Sequence, residues 1–143
     1  MKIAIIGSGW YGCYIYNYLQ EKYKNLEITL FEKDDDIFSM SSYNNQNRLH
    51  LGFHYPRHFN TRNHSKNNFN IFNTKFNSIV ETVNNNFYVI SKKSFIDQKS
   101  YLSIYKNENI DFKLLKNNIF TNIDGYIINT KEKYINFIKE KEY

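Results

Sequence analysis

The sequence opens with an apolar run, Lys2 to Ile6, that leads directly into Gly7-Ser8-Gly9-Trp10-Tyr11-Gly12. This G-x-G-x-x-G turn constrains the fold more than any other feature. A helical stretch follows from about Trp10 to Tyr23, with Gly12, Ile15, Leu19 and Tyr23 at helical spacing and predicted to face a sheet. A second apolar run, Glu27 to Glu32, closes on an acid. Strand, glycine turn, helix, strand and terminal acid together are the layout of a dinucleotide-binding βαβ unit. A glycine-rich turn in another α/β fold would have to place the acid by chance.

Each motif residue has a physical role. Gly7 lets the chain turn tightly off the first strand, and Gly9 lets a pyrophosphate approach the backbone. Gly12 lets the helix pack closely on the sheet. The helix N-terminus, with free N–H groups and a positive dipole end, favours phosphate. A carboxylate at Glu32 accepts hydrogen bonds from ribose hydroxyls and repels a 2′-phosphate, which disfavours an NADP-type ligand. Trp10 and Tyr11 either cover the turn or flank the ligand. The first strand reads as a central parallel strand buried on both faces.

The remainder is less regular. Lys33 to Asn47 is polar and predicts a loop with a short turn. From Thr61 to Val83, Phe69, Phe72, Phe76, Ile79 and Val83 step by three and four, a pattern that predicts a helix. Phe87 to Lys92 reads as a strand and Asp97 to Lys106 as a short helix. Phe112 to Leu115 and Tyr126 to Ile128 read as short strands. Asn129 or Thr130 would cap a last helix through Tyr143, with Glu132 completing a loose capping box. The expected division is therefore 1–60, a nucleotide-binding Rossmann-like segment, and 61–143, a helix with short strands and a final helix.

Charge and cysteine content narrow the function classes. The chain of 143 residues carries a net charge of +5. Its cations are mostly Lys and are scattered, without the dense stripe of a nucleic-acid binder. The abundant Asn, Lys, Ile, Tyr and Phe share A/T-rich codons, so the charge reads as compositional bias and no nucleic-acid partner is expected. Cys13 is the single cysteine, which excludes an internal disulfide and reads as a small packing residue. No secretory pattern and no apolar stretch of about 20 residues occurs. A cytoplasmic setting without a membrane partner is the expectation.

A second segment, Ser41-Ser42 and Asn45-Gln46-Asn47-Arg48-Leu49-His50-Leu51-Gly52-Phe53-His54-Tyr55, follows the βαβ unit. With Gly7 to Gly12 and Glu32, it resembles FAD-dependent oxidoreductases of the D-amino-acid oxidase class. In that class a Ser- and Asn-containing loop precedes a His-x-Gly-x-x-Tyr pattern that runs beneath the flavin. His50, Gly52 and Tyr55 match it, and Ser42 and Asn47 are the loop equivalents. Arg48, standing where the class has a small residue, would offset pyrophosphate charge.

The resemblance implies an α/β fold: a Rossmann-like FAD/NAD(P)-binding βαβ unit followed by a partial α+β substrate-domain-like region. It implies FAD as cofactor and hydride transfer to flavin from a C–H next to an amine or hydroxyl. The implied cofactor-binding residues are Gly7, Ser8, Gly9, Trp10, Gly12, Glu32, Lys33, Ser42, Asn47, Arg48, His50 and Gly52. No catalytic residue is assigned. Members of the class are more than twice this long, so the chain is expected to be such an oxidoreductase or the N-terminal portion of one, active if complete or complemented by a second polypeptide. An inactive truncated or split-gene product and a small NAD-binding module are the alternatives. His50, His54 and His58 recur every four residues, but Gly52 and Pro56 interrupt any shared helical face, and no metal is expected.

Overall fold

The computed structural model describes residues 1–116, 120 and 122–140. The chain is mixed α/β and forms two compact units, Met1–Asn47 with Phe137–Tyr143, and Arg48–Asn136. Residues 48–60, grouped with the nucleotide-binding segment on sequence grounds, thus belong to the second unit by compactness. No described helix is long and apolar enough to cross a membrane.

In the first unit, β1 (Lys2–Ile6) pairs in parallel with β2 (Glu27–Phe31), in register from Lys2↔Glu27 to Ile6↔Phe31. Branched Ile3, Ile5, Ile6, Ile28 and Thr29 suit extended backbone. Helix α1 (Trp10–Lys22) connects the strands and packs on both. Its last turn carries Lys22, which complements the negative dipole end and donates to the Tyr18 hydroxyl at 2.9 Å.

Burial in this unit departs from the sequence expectation. Ile15 and Tyr23 are exposed rather than packed on the sheet, and no residue of α1 is fully buried. β1 alternates between exposed and half-buried, and Ile6 is 81% exposed. The physical reason is that β1 pairs with β2 alone among the described residues.

The segment after β2 is a run of turns closed by an aromatic cluster. Phe38 is buried at a φ of 58°, and its N–H donates to Ser8 O at 3.1 Å. Its ring lies 6.4 Å from Trp10 and 5.5 Å from Phe137, which starts the short helix α4 (Phe137–Glu140). The predicted final helix was to begin at Asn129 or Thr130. Those residues are strand, and the predicted residues 141–143 lie outside the described residues.

The second unit holds two antiparallel three-stranded sheets. One has the order β3 (Arg48–Leu49), β8 (Lys133–Ile135), β4 (Val80–Thr82). The other has the order β5 (Phe87–Ser91), β7 (Gly125–Thr130), β6 (Phe112–Leu114). Helix α2 (Phe59–Lys75) is shorter than its periodicity predicts. It ends at Phe76, and Ile79 and Val83 fall on the turn and strand edge beyond it. His58 caps α2 by accepting from Thr61 N at 3.1 Å. Helix α3 (Gln98–Asn107) is capped by Asp97, which accepts from the Ser100 N–H and hydroxyl.

The core of this unit gathers Phe53, Tyr88, Ile90, Tyr101, Tyr105, Ile110 and Ile128. The phenols of α3 close the loop below it. Tyr101 donates to Phe53 O at 2.8 Å, and Tyr105 to Gly52 O and Phe53 O at 3.2 Å. Burial without a partner would cost each hydroxyl roughly 1–3 kcal/mol, so these bonds fix α3 against the loop. Arg62 on α2 adds a buried ion pair to Glu108 and donates to Tyr55 O and Pro56 O.

Candidate functional site

The glycine turn of the first unit is built as the motif requires. Gly7 turns at a φ of 97°, and its N–H donates to Phe31 O at 2.7 Å. A Cβ on Gly12 would overlap Gly7 O, while Leu30 lies 3.6 Å from the same position. Glycine at residue 12 is thus what lets α1 approach both β1 and β2. Gly9 is the N-cap, and a Cβ there would stand 3.2 Å from Ser42 Oγ.

Ser42 reaches this turn from the following loop. Its Oγ accepts from Trp10 N at 2.9 Å, taking one of the orphan donors at the head of α1. Asn45 Nδ2 donates to Ser41 O and Ser42 O at 2.9 Å, which holds the serine in place. The first turn of α1 carries no acidic residue. Its positive end is therefore not neutralised from within the helix. Trp10 packs on Phe38 and Phe137. Cys13 is a packing residue whose Sγ sits 3.3 Å from Ser8 O.

Glu32 stands just past β2. Its Oε2 accepts from the N–H and the hydroxyl of Ser8, at 2.7 and 2.8 Å. Its Oε1 accepts from Lys33 N at 2.7 Å and Asp34 N at 3.2 Å. These bonds, the two from Ser8 foremost, pull its pKa from the ordinary 4.5 to about 2. The carboxylate is ionised at neutral pH. Lys33 contributes its backbone N–H to it.

Asn47 closes the unit in a left-handed conformation, φ 50°, and is buried. Its N–H is bonded to Asn45 Oδ1 at 2.6 Å, but its own side-chain Oδ1 has no hydrogen-bond partner. A buried acceptor left in this way needs a donor from a ligand or from water.

Arg48, His50 and Gly52 lie in the second unit, where each has a structural partner. Gly52 turns at a φ of 100°, and a Cβ on it would meet Arg62 Cα at 3.0 Å. The glycine therefore admits α2. The Arg48 guanidinium stacks 4.3 Å over the Tyr88 ring, donates to Asn86 Oδ1, and stands 3.5 Å from Glu132 Oε2. His50 Nδ1 lies 3.4 Å from the same oxygen and 3.3 Å from the Tyr88 hydroxyl.

Glu132 is the centre of this second group. It is 1% exposed, accepts from Leu51 N at 2.7 Å on one oxygen, and from the Tyr88 hydroxyl at 2.6 Å on the other. Burial alone would raise its pKa. The bonds from His50, Tyr88 and Leu51, with the His50 charge, outweigh burial and leave it below the usual range. Burial, then the Glu132 bond, pushes the Tyr88 phenol far up, so it stays a donor. Glu132 and Tyr88 were not among the residues expected from sequence. The signal for Glu132, three residues after Asn129, pointed to a helix cap instead of a buried charge.

Residues 5–74 match the family described as NAD(P)-binding Rossmann-like domain. Over 99% of its length the chain is 33% identical to FAD-dependent monooxygenase FPY4 of Fusarium mangiferae. It covers 38% of that relative. Over 43% of its length it is 42% identical to FAD-dependent monooxygenase kojA of Aspergillus flavus, covering 14% of it. A protein of Aspergillus oryzae described as probable FAD-dependent monooxygenase kojA matches equally. The chain thus spans well under half the length of these curated relatives.

Proposed function

We propose that this chain is the cofactor-binding part of an FAD-dependent oxidoreductase, and that unit Met1–Asn47 holds the adenosine diphosphate half of FAD. The observation that carries this reading is the ionised Glu32 at the end of β2, facing the glycine turn at the head of α1. The similarity to FAD-dependent monooxygenases and to Rossmann-like domains supports it.

The residues present fit the group. Gly7, Gly9 and Gly12 carry no side chains, so a pyrophosphate can approach the backbone N–H groups at those positions. Ser42 can turn its hydroxyl from accepting at Trp10 N to donating to a phosphate oxygen. Glu32 accepts from ribose hydroxyls, beside Ser8 and Lys33. Asn47 Oδ1 supplies an acceptor whose bond is unmade. Arg48, His50 and Gly52 enter this reading through the family resemblance. When bound, FAD supplies a two-electron acceptor for a C–H next to an amine or hydroxyl. That reaction is the finer proposal, with a small amine or hydroxy acid as substrate in a cytoplasmic setting. Purifying the chain and releasing its ligand by denaturation tests the cofactor. Free FAD is the expected product, whereas NAD would favour a nicotinamide-binding module.

A second reading is favoured by the exposure of Ile6 and Phe31 on the β1–β2 sheet. In it the chain binds nucleotide without turnover until a further polypeptide covers those strands.

A further inference from the structure

Outside the cofactor unit, a cleft of about 360 Å³ opens in the second unit. Its floor is apolar and aromatic: Phe53, Tyr88, Ile90 and Tyr101, all members of the core. Two hydrogen bonds tie this floor, Tyr101 donating to Phe53 O and Tyr88 to Glu132. A second cleft of about 320 Å³ shares His54, Pro56, Ser94 and Ile96 with the first, so the two run together.

The rim is one-signed. Lys93 lines the first cleft and Arg57 the second, and no Asp or Glu lines either. Neither the Lys93 ammonium nor the Arg57 guanidinium is ion-paired among the described residues. Arg57 lies 5.6 Å over the ring of Phe95, an aromatic 95% exposed at the lip. A larger cleft, about 600 Å³, has a different character. There Lys131 is paired with Asp111 at 2.8 Å and Lys133 donates to Asn73 at 2.7 Å.

His54 links the cleft to the buried charge group. Its ring meets Tyr88 edge-on at 4.8 Å and His50 at 4.9 Å. Burial, then the charges of His50 and Arg48, lowers its pKa against the opposing pull of Glu132. It is therefore neutral at pH 7 and offers a ring nitrogen as acceptor.

The geometry points to a binding site for a small organic anion with a flat apolar body. The body lies on the Phe53–Tyr101 floor, the acidic group pairs with Lys93 and Arg57, and a hydroxyl or amine N–H on the ligand donates to His54. An apolar pocket with a few convergent polar groups is the usual form of such a site. Every residue it uses belongs to Arg48–Asn136, and none of them is among the residues assigned to the cofactor.

The test uses the full chain without added flavin. Phenylacetate and its neutral counterpart methyl phenylacetate, neither of which carries an N–H or O–H donor, are titrated separately while backbone amide shifts are followed by NMR. Saturable phenylacetate shifts confined to residues 53–58 and 88–96 are expected, with methyl phenylacetate roughly tenfold weaker, as loss of a charge-assisted contact implies. Lys93→Ala and Arg57→Ala remove exposed side chains, so both variants fold. Each should weaken phenylacetate severalfold and leave methyl phenylacetate unchanged. Equal affinity for the two probes, shifts elsewhere, or no saturable shift would overturn the proposal.

Discussion

Glu32 accepts both the backbone N–H and the hydroxyl of Ser8 on a single carboxylate oxygen, at 2.7 and 2.8 Å. With Lys33 N and Asp34 N on the other oxygen, four donors face a group with about four lone-pair positions. A ribose hydroxyl must therefore displace a donor, and the Ser8 hydroxyl is the one that leaves by side-chain rotation alone. Ser8→Ala is expected to keep or tighten FAD affinity. Glu32→Ala should weaken it by roughly tenfold to a hundredfold, as loss of charge-assisted hydrogen bonds implies. Calorimetric titration of both variants checks this, and a Ser8→Ala protein that loses affinity as Glu32→Ala does would refute the exchange.

The same carboxylate sets an acid limit. Its pKa falls from 4.5 to about 2 in the folded chain. A lowered folded value stabilises above the unfolded pKa and is lost as pH drops toward the folded one. Asp97, Asp111 and Glu132 are shifted in the same direction. Stability measured by urea unfolding should therefore decline from about pH 4.5 toward pH 2. Glu32→Gln should flatten part of that decline, and an unchanged slope would contradict the hydrogen bonding at Ser8.

Glu132, itself fully buried, pairs with the Arg48 guanidinium and accepts from the Tyr88 hydroxyl. Truncation to Ala leaves Arg48 and the Tyr88 hydroxyl without their anion, a change that costs about 3–5 kcal/mol for buried pairs. Tyr88→Phe removes one donor and should cost about 1–3 kcal/mol. The double variant should lose less than the sum, because both changes break one network. Additive losses in urea unfolding would show that the two residues act separately.

Gly12→Ala introduces a Cβ that overlaps Gly7 O. Overpacking of this kind costs about 1–3 kcal/mol. At Gly125 a Cβ would stand 2.6 Å from Ile90 O, so Gly125→Ala should destabilise the second unit comparably. Amide exchange resolves the two cases. Each variant should raise exchange chiefly in its own unit, and uniform loosening would argue against separable units.

How much of this was legible in sequence depended on the range of the interactions involved. The βαβ unit announced itself because its signals are local: glycines at fixed spacing, a helical repeat, an acid after an apolar strand. Strands β3 and β8 were missed, since two or three residues carry no alternation to read. Helix α2 was overextended because Phe69, Phe72 and Phe76 keep helical spacing with Ile79, although the backbone leaves the helix at Phe76. Glu132 escaped because the partner that explains it, the Leu51 N–H, is 81 residues away. Gly52 was visible as a glycine that matters. Its reason, the approach of Arg62 on α2, belongs to tertiary packing.

The central claim is that the first unit binds the adenosine diphosphate half of FAD. Equilibrium affinities of the full chain for FAD, for FMN, which lacks the adenosine, and for NADP test it most directly. The account predicts saturable FAD binding, with FMN weaker by roughly a hundredfold or more, as loss of several hydrogen bonds implies. NADP should bind no better than FMN, because its 2′-phosphate meets the Glu32 charge. FMN binding as tightly as FAD, or NADP binding in preference to it, would contradict the claim.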